Sequence, residues 1–394
     1  MFKKLKKKLT SVYAKGILKA APLYRRASRS SVRASDNARP RRVVLLISRP
    51  QDIELLIGLH VKAGERKDLC LSFWVVDTCA RRYPEVLDQL REKAATVDAI
   101  VSFAKLTSVL KRLNQVDAFL STVESTIARD KLPYLITRLA NSMGVATFTL
   151  QHGYPNLGLS FCDHVYGPDI RFAAKTVLSW GPVEKLPSWV SEETRRKCVG
   201  VGCPKELVLF ESDLNKNGSD RPIIAVFENL HGHIFDRQYI SSFLGHLQET
   251  AKRHKEFRFI LKPHPASLRQ RSGELSALLS RLEDIEIVGR TDGDTPAYTT
   301  PWLLANASAA VTTPSTIALD GALQGVPVAM ALYGLELYRS IYSPLHMLEM
   351  QEDWETFLGK LKSGDDLKER NDAFLGRVIV PGDAASRILD LMAA

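Results

Sequence analysis

Short apolar runs alternate with helix-length amphipathic stretches from residue 43 to residue 332, and this alternation restricts the fold more than any other feature. It is the pattern of strands and helices that alternate around a parallel sheet. One series predicts strands at 43–48, 71–77, 99–103, 118–123, 146–151 and 176–180. A second series predicts strands at 223–227, 257–262, 285–288, 309–313 and 326–332. The predicted helices include 84–95, 134–143, 237–253, 267–282 and 316–324.

The two series indicate two domains. A chain of 394 residues exceeds what one hydrophobic core usually spans. Turn-forming Asp, Asn, Gly and Ser residues are concentrated at 212–221, as in a hinge or linker. We therefore predict an α/β protein with two Rossmann-like lobes, one at 43–210 and one at 221–394, preceded by a basic segment at 1–42.

The positive net charge is confined to the N-terminus. The chain carries +10 overall, but residues 1–42 contain seven Lys and seven Arg against one Asp, so the remainder is mildly acidic. An enzyme that acts on nucleic acid should carry basic residues along its substrate groove. We therefore expect no nucleic-acid partner.

The basic segment has the periodicity of an amphipathic helix. Its apolar positions are Phe2, Leu5, Leu9 and Val12, and the lysines among them are Lys3, Lys4, Lys6, Lys7 and Lys8. Such a helix can bury its apolar stripe at the lipid headgroups while each Lys gains about 1 kcal/mol from anionic lipid. A solvated tail is one alternative, and docking of Ile17, Leu18 and Leu23 on the protein's own surface is another.

The sequence lacks the signals of membrane-spanning and secreted proteins. No apolar run reaches about 18 residues, and no signal peptide is evident at the N-terminus. The five cysteines form no CxxC pair and no zinc-type cluster, which is typical of reduced thiols in a cytoplasm. We predict a peripheral protein on the cytoplasmic face of the inner (plasma) membrane, with an anionic membrane surface as partner.

The segment Leu261-Lys262-Pro263-His264-Pro265 ends a predicted strand of the second lobe. Ligands of parallel sheets bind at the carboxyl ends of the strands. Prolines on both sides of His264 restrict the backbone, so the imidazole can donate to a phosphate or protonate a leaving group there. Lys262 can neutralise phosphate charge. A purely structural turn is the alternative for this motif.

A strand-turn-helix pattern follows at 311–321. Ser315 or Thr316 occupies the expected N-cap, where hydroxyls and free N–H groups can bind a phosphate. Asp320, about one turn later, can accept hydrogen bonds from ribose hydroxyls. Otherwise Ser315 is a simple cap and Asp320 a partner of the helix dipole.

Three further polar residues follow predicted strands. His152, in Gln151-His152-Gly153-Tyr154-Pro155, can serve as the base on an acceptor hydroxyl or merely cap a turn. Glu124 is the competing base, because a buried carboxyl can have a raised pKa. Asn229 follows the first strand of the second lobe, where it can contact donor phosphates or belong to a structural turn.

The ordered motifs resemble those of bacterial capsule and teichoic-acid transferases across residues 43–335. They are Gln151-His152-Gly153, Gly202-Cys203-Pro204, Lys262-Pro263-His264-Pro265 and Thr312-Thr313-Pro314-Ser315-Thr316, followed by Asp320 and Gln324-Gly325-Val326-Pro327-Val328. The architecture looks like the GT-B glycosyltransferase fold, with a cleft between two lobes. In CDP-glycerol glycerophosphotransferases and in capsule enzymes that use CMP-Kdo or CMP-sialic acid, a His-Pro pair and a Ser/Thr pair bind the nucleotide phosphates.

The resemblance implies an acceptor-side domain at 43–210 and a nucleotide-donor-binding domain at 221–394. It also implies that His264, Ser315 and Thr316 bind donor phosphates and that Asp320 contacts the ribose. The chain departs from the Trp-His-Gly-Xaa-Pro segment common in teichoic-acid polymerases, because Gln151 replaces the tryptophan. Either His152 or Glu124 therefore remains as the candidate base.

We predict a transferase that moves a sugar or polyol phosphate from a nucleotide-activated donor, CMP- or CDP-linked, to a growing lipid-linked surface polysaccharide. No Asp-Xaa-Asp motif directly follows a strand in the way that metal-dependent transferases require, so we expect neither metal nor cofactor. The alternatives are a UDP-sugar glycosyltransferase, a UDP-GlcNAc 2-epimerase-like enzyme, and a non-catalytic capsule assembly subunit. A Rossmann dehydrogenase is disfavoured because residues 48–52 lack the Gly-Xaa-Gly-Xaa-Xaa-Gly pattern.

Overall fold

The structure is a computed structural model that describes residues 13–22, 39–162, 169–205, 221–230, 234–264, 267, 274–288 and 298–394. The chain forms two compact units. One comprises Met1–Glu206 with Val378–Ala394, and the other comprises Leu207–Arg377. Both units are α/β, as the alternating apolar pattern predicts.

The first unit contains a seven-stranded parallel sheet with strand order β3-β2-β1-β4-β5-β6-β7. The strands are β1 (Arg41–Ile47), β2 (Leu69–Val76), β3 (Val97–Val101), β4 (Ala118–Ser121), β5 (Ala146–Leu150), β6 (Thr176–Ser179) and β7 (Cys198–Gly200). The helices are α1 (Asp52–Ala63), α2 (Asp77–Arg82), α3 (Glu85–Glu92), α4 (Leu106–Leu113), α5 (Lys131–Ser142) and α6 (Glu192–Lys197). The last five residues of β1 and all of β4 are buried, because helices cover both faces of a parallel sheet.

The second unit contains a six-stranded parallel sheet with strand order β10-β9-β8-β11-β12-β13. The strands are β8 (Ile223–Glu228), β9 (Arg258–Pro263), β10 (Ile285–Ile287), β11 (Ala307–Thr312), β12 (Val328–Ala331) and β13 (His346–Leu348). The helices are α7 (Arg237–Arg253), α8 (Glu274–Ser280), α9 (Thr300–Asn306), α10 (Ile317–Leu323), α11 (Glu336–Tyr342), α12 (Gln351–Ser363) and α13 (Leu367–Val378). Its core packs the strands against aromatic side chains of α7 and α12, including Phe243, Trp354 and Phe357.

The C-terminal end of the chain differs from the predicted donor domain at 221–394. Residues Val378–Ala394, with the last helix α14 (Ala384–Ala393), belong to the first unit. Helix α14 packs against α1, and the guanidinium of Arg41 donates to the carbonyl oxygen of Ala393 at 2.8 Å. Arg387 donates to the carbonyl oxygen of Val201 at 2.9 Å. This return of the chain was missed because sequence patterns do not report which sheet a terminal amphipathic helix covers.

Residues 13–22 form a helix that contacts the first unit. Ala14 and Ala21 are buried, and the hydroxyls of Tyr13 and Thr107 lie 2.7 Å apart. Ile17 and Leu18 are partly buried, in keeping with the alternative of docking on the protein's own surface. The proposed membrane residues lie outside the described part of the chain: Phe2, Lys3, Lys4, Leu5, Lys7, Lys8 and Leu9. No helix within the described ranges is long and apolar enough to cross a bilayer.

Candidate functional site

Three predicted donor-binding residues follow three adjacent strands of the second unit. Asn229 follows β8, His264 follows β9, and Ser315 comes shortly after β11. Strand β8 pairs with β9 on one side and with β11 on the other, in parallel register. The three loops therefore leave the same carboxyl edge of the sheet, which is where parallel sheets bind ligands.

The buried carboxylate of Glu228 ties two of these loops together. Its Oε1 accepts from the backbone N–H of His264 at 3.1 Å, and its Oε2 accepts from the N–H of Leu230 at 2.6 Å and from the hydroxyl of Ser267 at 3.1 Å. Burial raises the pKa of Glu228, and the accepted hydrogen bonds oppose that shift. The carboxylate thus fixes the position of the backbone at His264.

Thr313 ties the third loop to the first. Its hydroxyl accepts from the backbone N–H of Asn229 at 2.9 Å, and its own N–H donates to the carbonyl oxygen of Phe227 at 3.1 Å. The Oδ1 atom of Asn229 is buried and has no hydrogen-bond partner among the described residues. An unpaired buried acceptor is costly, so a ligand group that donates a hydrogen bond to this oxygen is favoured here.

The start of α10 differs slightly from the predicted cap. Thr316 occupies the N-cap position without a side-chain cap bond. The hydroxyl of Ser315 instead accepts from the N–H of Ile317 at 3.2 Å and lies 3.1 Å from the hydroxyl of Thr312. Ser315 is further held by the Tyr342 hydroxyl, which donates to its carbonyl oxygen at 3.1 Å.

Lys262 and Asp320, which were also predicted to bind the donor, are less accessible than the three loop residues. The ammonium of Lys262 donates to the carbonyl oxygen of Tyr298 at 2.8 Å, and burial lowers its pKa. Asp320 lies in the first turn of α10 and is buried, with 4% of its surface exposed. Both residues lie on elements that form the carboxyl edge of the second sheet. The geometry therefore gives Lys262 a structural contact and leaves little of Asp320 accessible.

In the first unit, the partly buried His152 follows β5 and contacts an arginine. Its Nε2 lies 3.4 Å from Nη1 of Arg49, and because Arg can only donate, this nitrogen is the acceptor. Burial lowers the pKa of His152 to about 3, and the charges of Arg49 and Arg129 contribute to the shift. The imidazole is neutral at pH 7.

Glu124, the competing base, is buried and holds neighbouring segments together by hydrogen bonds. Its carboxylate accepts from the Thr149 hydroxyl at 2.7 Å and from the backbone N–H groups of Ala173 and Ala174, each at 2.9 Å. Only 1% of its surface is exposed, and burial raises its pKa to about 7. The raised pKa matches the expectation for a base, but the occupied oxygens and the lack of exposure favour His152.

A charged cluster beside His152 was not predicted from the sequence. Arg49 donates to Asp130 at 2.7 Å, and Asp130 also accepts from the Ser125 hydroxyl at 2.8 Å. The loop that carries Arg49 is held by buried Asp52, which accepts from the N–H of Arg49 at 2.8 Å. Arg49 directly follows β1, where the strand order reverses between β2 and β4. Because ligands bind where the strand order of such a sheet reverses, the position of Arg49 after the first strand could have marked it as a site residue.

The same edge of the first unit contains a cavity of about 180 Å³. Its polar lining consists of Ser48, Arg49, Asp77, Thr78, Ser102, Arg129, Asp130 and Lys131. These residues follow β1, β2, β3 and β4. No group of three His, Cys, Asp or Glu side chains in the described part of the chain is arranged to hold a metal ion.

A scan against protein-family models and a search of curated proteins find no match for this chain. Solved structures do match. The UDP-GlcNAc 2-epimerase from Neisseria meningitidis bound to UDP-GlcNAc is 11% identical with a TM-score of 0.63, covering 89% of this chain and 99% of its own. S. aureus MnaA with UDP is 12% identical with a TM-score of 0.61, covering 89% and 95%.

The wall teichoic acid polymerase TagF is also similar, at 13% identity and a TM-score of 0.53, covering 98% of this chain and 97% of its own. At such identities the likeness concerns the fold. The likeness extends over most of this chain and so includes both parallel-sheet units. The chain therefore has the GT-B-like fold that nucleotide-sugar epimerases and glycosyltransferases share.

Proposed function

We propose that the chain is a metal-independent transferase that moves a sugar or polyol phosphate from a CMP- or CDP-linked donor to a growing, lipid-linked surface polysaccharide. The acceptor polymer is of capsule, lipopolysaccharide or teichoic-acid type. The observation that carries this proposal is the convergence of Asn229, His264 and Ser315 at one sheet edge, with Glu228 and Thr313 joining their loops.

In the proposed complex, the donor phosphates lie at this carboxyl edge of the second sheet. His264 donates to the departing nucleoside phosphate, and Ser315 and Thr316 contribute hydroxyl and backbone donors before α10. Lys262 adds positive potential at the same edge, and the ribose contact predicted for Asp320 is not part of the proposal, because only 4% of its surface is exposed. Preorganised donors of this kind stabilise charge that develops in the transition state without reorganisation. The Asn229 amide provides an additional contact.

The bond changes follow from the donor chemistry. The acceptor hydroxyl oxygen forms a bond to the sugar carbon, or to the phosphorus of the polyol phosphate. The bond from that atom to the nucleotide oxygen breaks, and its electron pair leaves with CMP. The neutral imidazole of His152 accepts the hydroxyl proton. Glu124 supports the nearby backbone instead, because its oxygens are already occupied.

A nucleotide-sugar epimerase is the second candidate, and the higher TM-scores of the epimerase structures favour it. TagF, however, covers 98% of this chain and the epimerases cover 89%. The basic segment at the N-terminus has a use in an enzyme with a lipid-linked acceptor. It has no evident use in a soluble epimerase. These points place the transferase first, and peripheral attachment to the cytoplasmic face of the inner membrane is part of the proposal.

Calorimetric titration of the full chain with CMP, CDP, UDP and UMP tests the donor assignment. Selective binding of CMP or CDP, lost in His264→Ala, is the expected result. His254→Ala is the matched control, because His254 lies between α7 and β9 at the amino edge of the same sheet and contacts Glu256. Selective binding of UDP would favour the epimerase or a UDP-sugar transferase. Binding of none would favour an assembly subunit.

A further inference from the structure

The cavity of the first unit is separate from the loops that the donor proposal uses. It lies at the carboxyl ends of β1 to β4, beside the start of α5. Two acidic side chains line it, and both are already paired. Asp130 accepts from Arg49 at 2.7 Å, and Asp77 accepts from Arg81 at 2.8 Å. Neither carboxylate is therefore an available ligand for a cation.

Two cations of the cavity are exposed and weakly paired. The side chain of Lys131 makes no hydrogen bond or ion pair with the other described residues, and Nε of Arg129 lies 3.9 Å from Asp130, which already accepts from Arg49. The Oγ atom of Ser48, also in the lining, is buried without a hydrogen-bond partner in the described ranges. An unpaired hydroxyl beside cations is suited to an anion with several oxygen acceptors.

The N-terminal helix meets the fold at this same edge. Its first described residue, Tyr13, contacts Thr107 in the first turn of α4. Helix α4 begins just after β3, whose end contributes Ser102 to the cavity. Tyr13 therefore lies at the edge of the first sheet that contains the cavity.

We propose that this cavity binds a phosphate group carried by the acceptor, next to the hydroxyl that reacts. The proposal rests on the transferase function above and names its acceptor class: a lipid-linked diphosphate or a polyol-phosphate chain end. Arg129 and Lys131 bind the phosphate oxygens, and the Ser48 hydroxyl donates a further hydrogen bond.

Phosphate binding also bears on His152. Arg49 donates to its Nε2, which is the atom that must accept the proton from the acceptor hydroxyl. A phosphate in the cavity offers Arg49 and Arg129 another counterion and reduces the positive potential at the imidazole. The pKa of His152, held at about 3 by burial and by these two arginines, then rises toward the range of a useful base.

The test is calorimetric titration of the full chain with inorganic diphosphate and, separately, with sn-glycerol 3-phosphate. Arg129→Gln/Lys131→Gln is compared with Lys93→Gln/Arg196→Gln. The control pair removes the same charge from exposed positions before β3 and β7, at the opposite edge of the same sheet. We expect roughly tenfold or greater weakening in the cavity variant only. Stronger binding of diphosphate indicates a lipid-linked diphosphate, and stronger binding of glycerol 3-phosphate indicates a polyol-phosphate end.

The same phosphate titrations, repeated on His264→Ala and on protein saturated with CMP, distinguish binding in the cavity from binding at the proposed donor site. Phosphate binding that survives His264→Ala and saturating CMP supports the cavity, even if the nucleotide titration fails. Loss of phosphate binding in His264→Ala, with no change in the cavity variant, would overturn the proposal. Equal weakening in the cavity and control variants would overturn it as well, because it would reflect net charge alone. Absence of binding to both probes would also be contrary to it.

Discussion

At the scale of single residues, Glu124 and His152 differ in what surrounds their proton-accepting atoms. Glu124 has three hydrogen-bond donors on its two oxygens and almost no exposed surface. His152 is partly exposed, and its accepting nitrogen faces one long contact from Arg49. A general base must reach the proton that it removes. The residue environments therefore favour different roles, which two variants can separate.

Glu124→Gln should lower the free energy of unfolding by about 1–3 kcal/mol, because the new amide NH₂ faces a donor where the carboxylate accepted. In the wild type, the folded protein binds more protons than the unfolded chain between pH 4.5 and about 7. Stability from this group is therefore lost as pH rises through that window. Urea unfolding at several pH values measures both effects. An unchanged midpoint with lost transferase activity would instead identify Glu124 as the base.

The imidazole of His152 should remain neutral in the free protein well below pH 6, because its pKa is held at about 3. The folded state then binds fewer protons than the unfolded chain as pH falls below 6.5, so this group lowers stability toward acid. NMR titration of the histidine ring protons, assigned with His152→Gln, measures the pKa directly. A transition near 6.5 would show that neither burial nor the charges of Arg49 and Arg129 shift the pKa of the ring.

At the scale of elements, sequence patterns predicted every described strand except β7 and β13. Strands β4 and β8 are buried on both faces, so they appear as continuous apolar runs. Strands β7 and β13 have three residues each at the ends of their sheets and show no apolar pattern of strand length, whereas the equally short β10 lies in the apolar stretch 285–288. Helix α5 begins at Lys131, before the predicted 134, because Pro133 is tolerated in the first turn.

Close packing of α10 on β12 leads to an element-scale prediction. A Cβ atom at Gly321 would lie 2.9 Å from Cγ2 of Val328, so Gly321→Ala must displace the helix that follows Ser315 and Thr316. We expect a loss of about 1–3 kcal/mol in the free energy of unfolding. Gly245→Ala is the control, because nothing lies within 4 Å of its added Cβ in α7. Chemical denaturation should find the control unchanged or stabilised by up to about 1 kcal/mol. Equal effects would contradict tight packing at α10.

The candidate site was only partly predictable, because sequence patterns report single elements and not the contacts between distant residues. Asn229, His264 and Ser315 each follow an apolar strand, so the sequence marks them one by one. The ion pair of Arg49 with Asp130 joins residues 81 positions apart, and no local pattern reveals it. The buried acceptor roles of Glu124 and Glu228 likewise depend on loops that meet only in the folded units.

At the scale of the whole molecule, charge is unevenly distributed along the chain. The first 42 residues carry a charge of +13, which exceeds the +10 of the whole chain, and the remainder is mildly acidic. Electrostatic attraction to anionic lipid should therefore depend on a short terminal segment and should weaken as salt is added.

Removal of residues 1–12 should abolish most binding to vesicles that contain anionic lipid, while nucleotide binding is retained. The deleted segment holds five lysines and the apolar positions of the predicted membrane helix. Co-sedimentation with anionic and with neutral vesicles, at low and high salt, measures the effect. Binding of the shortened chain at the wild-type level would contradict the predicted membrane role of this segment.

Transfer from a cytidine-linked donor can be followed by ³¹P NMR of the reaction itself. The protein is incubated with CDP-glycerol or a CMP-linked sugar, with and without a lipid-linked acceptor, and UDP-GlcNAc is followed in parallel. We expect acceptor-dependent release of CMP that is lost in His264→Ala and kept in His254→Ala. Conversion of UDP-GlcNAc to its 2-epimer, without acceptor-dependent release of CMP from the cytidine-linked donors, would rule out the proposed transfer.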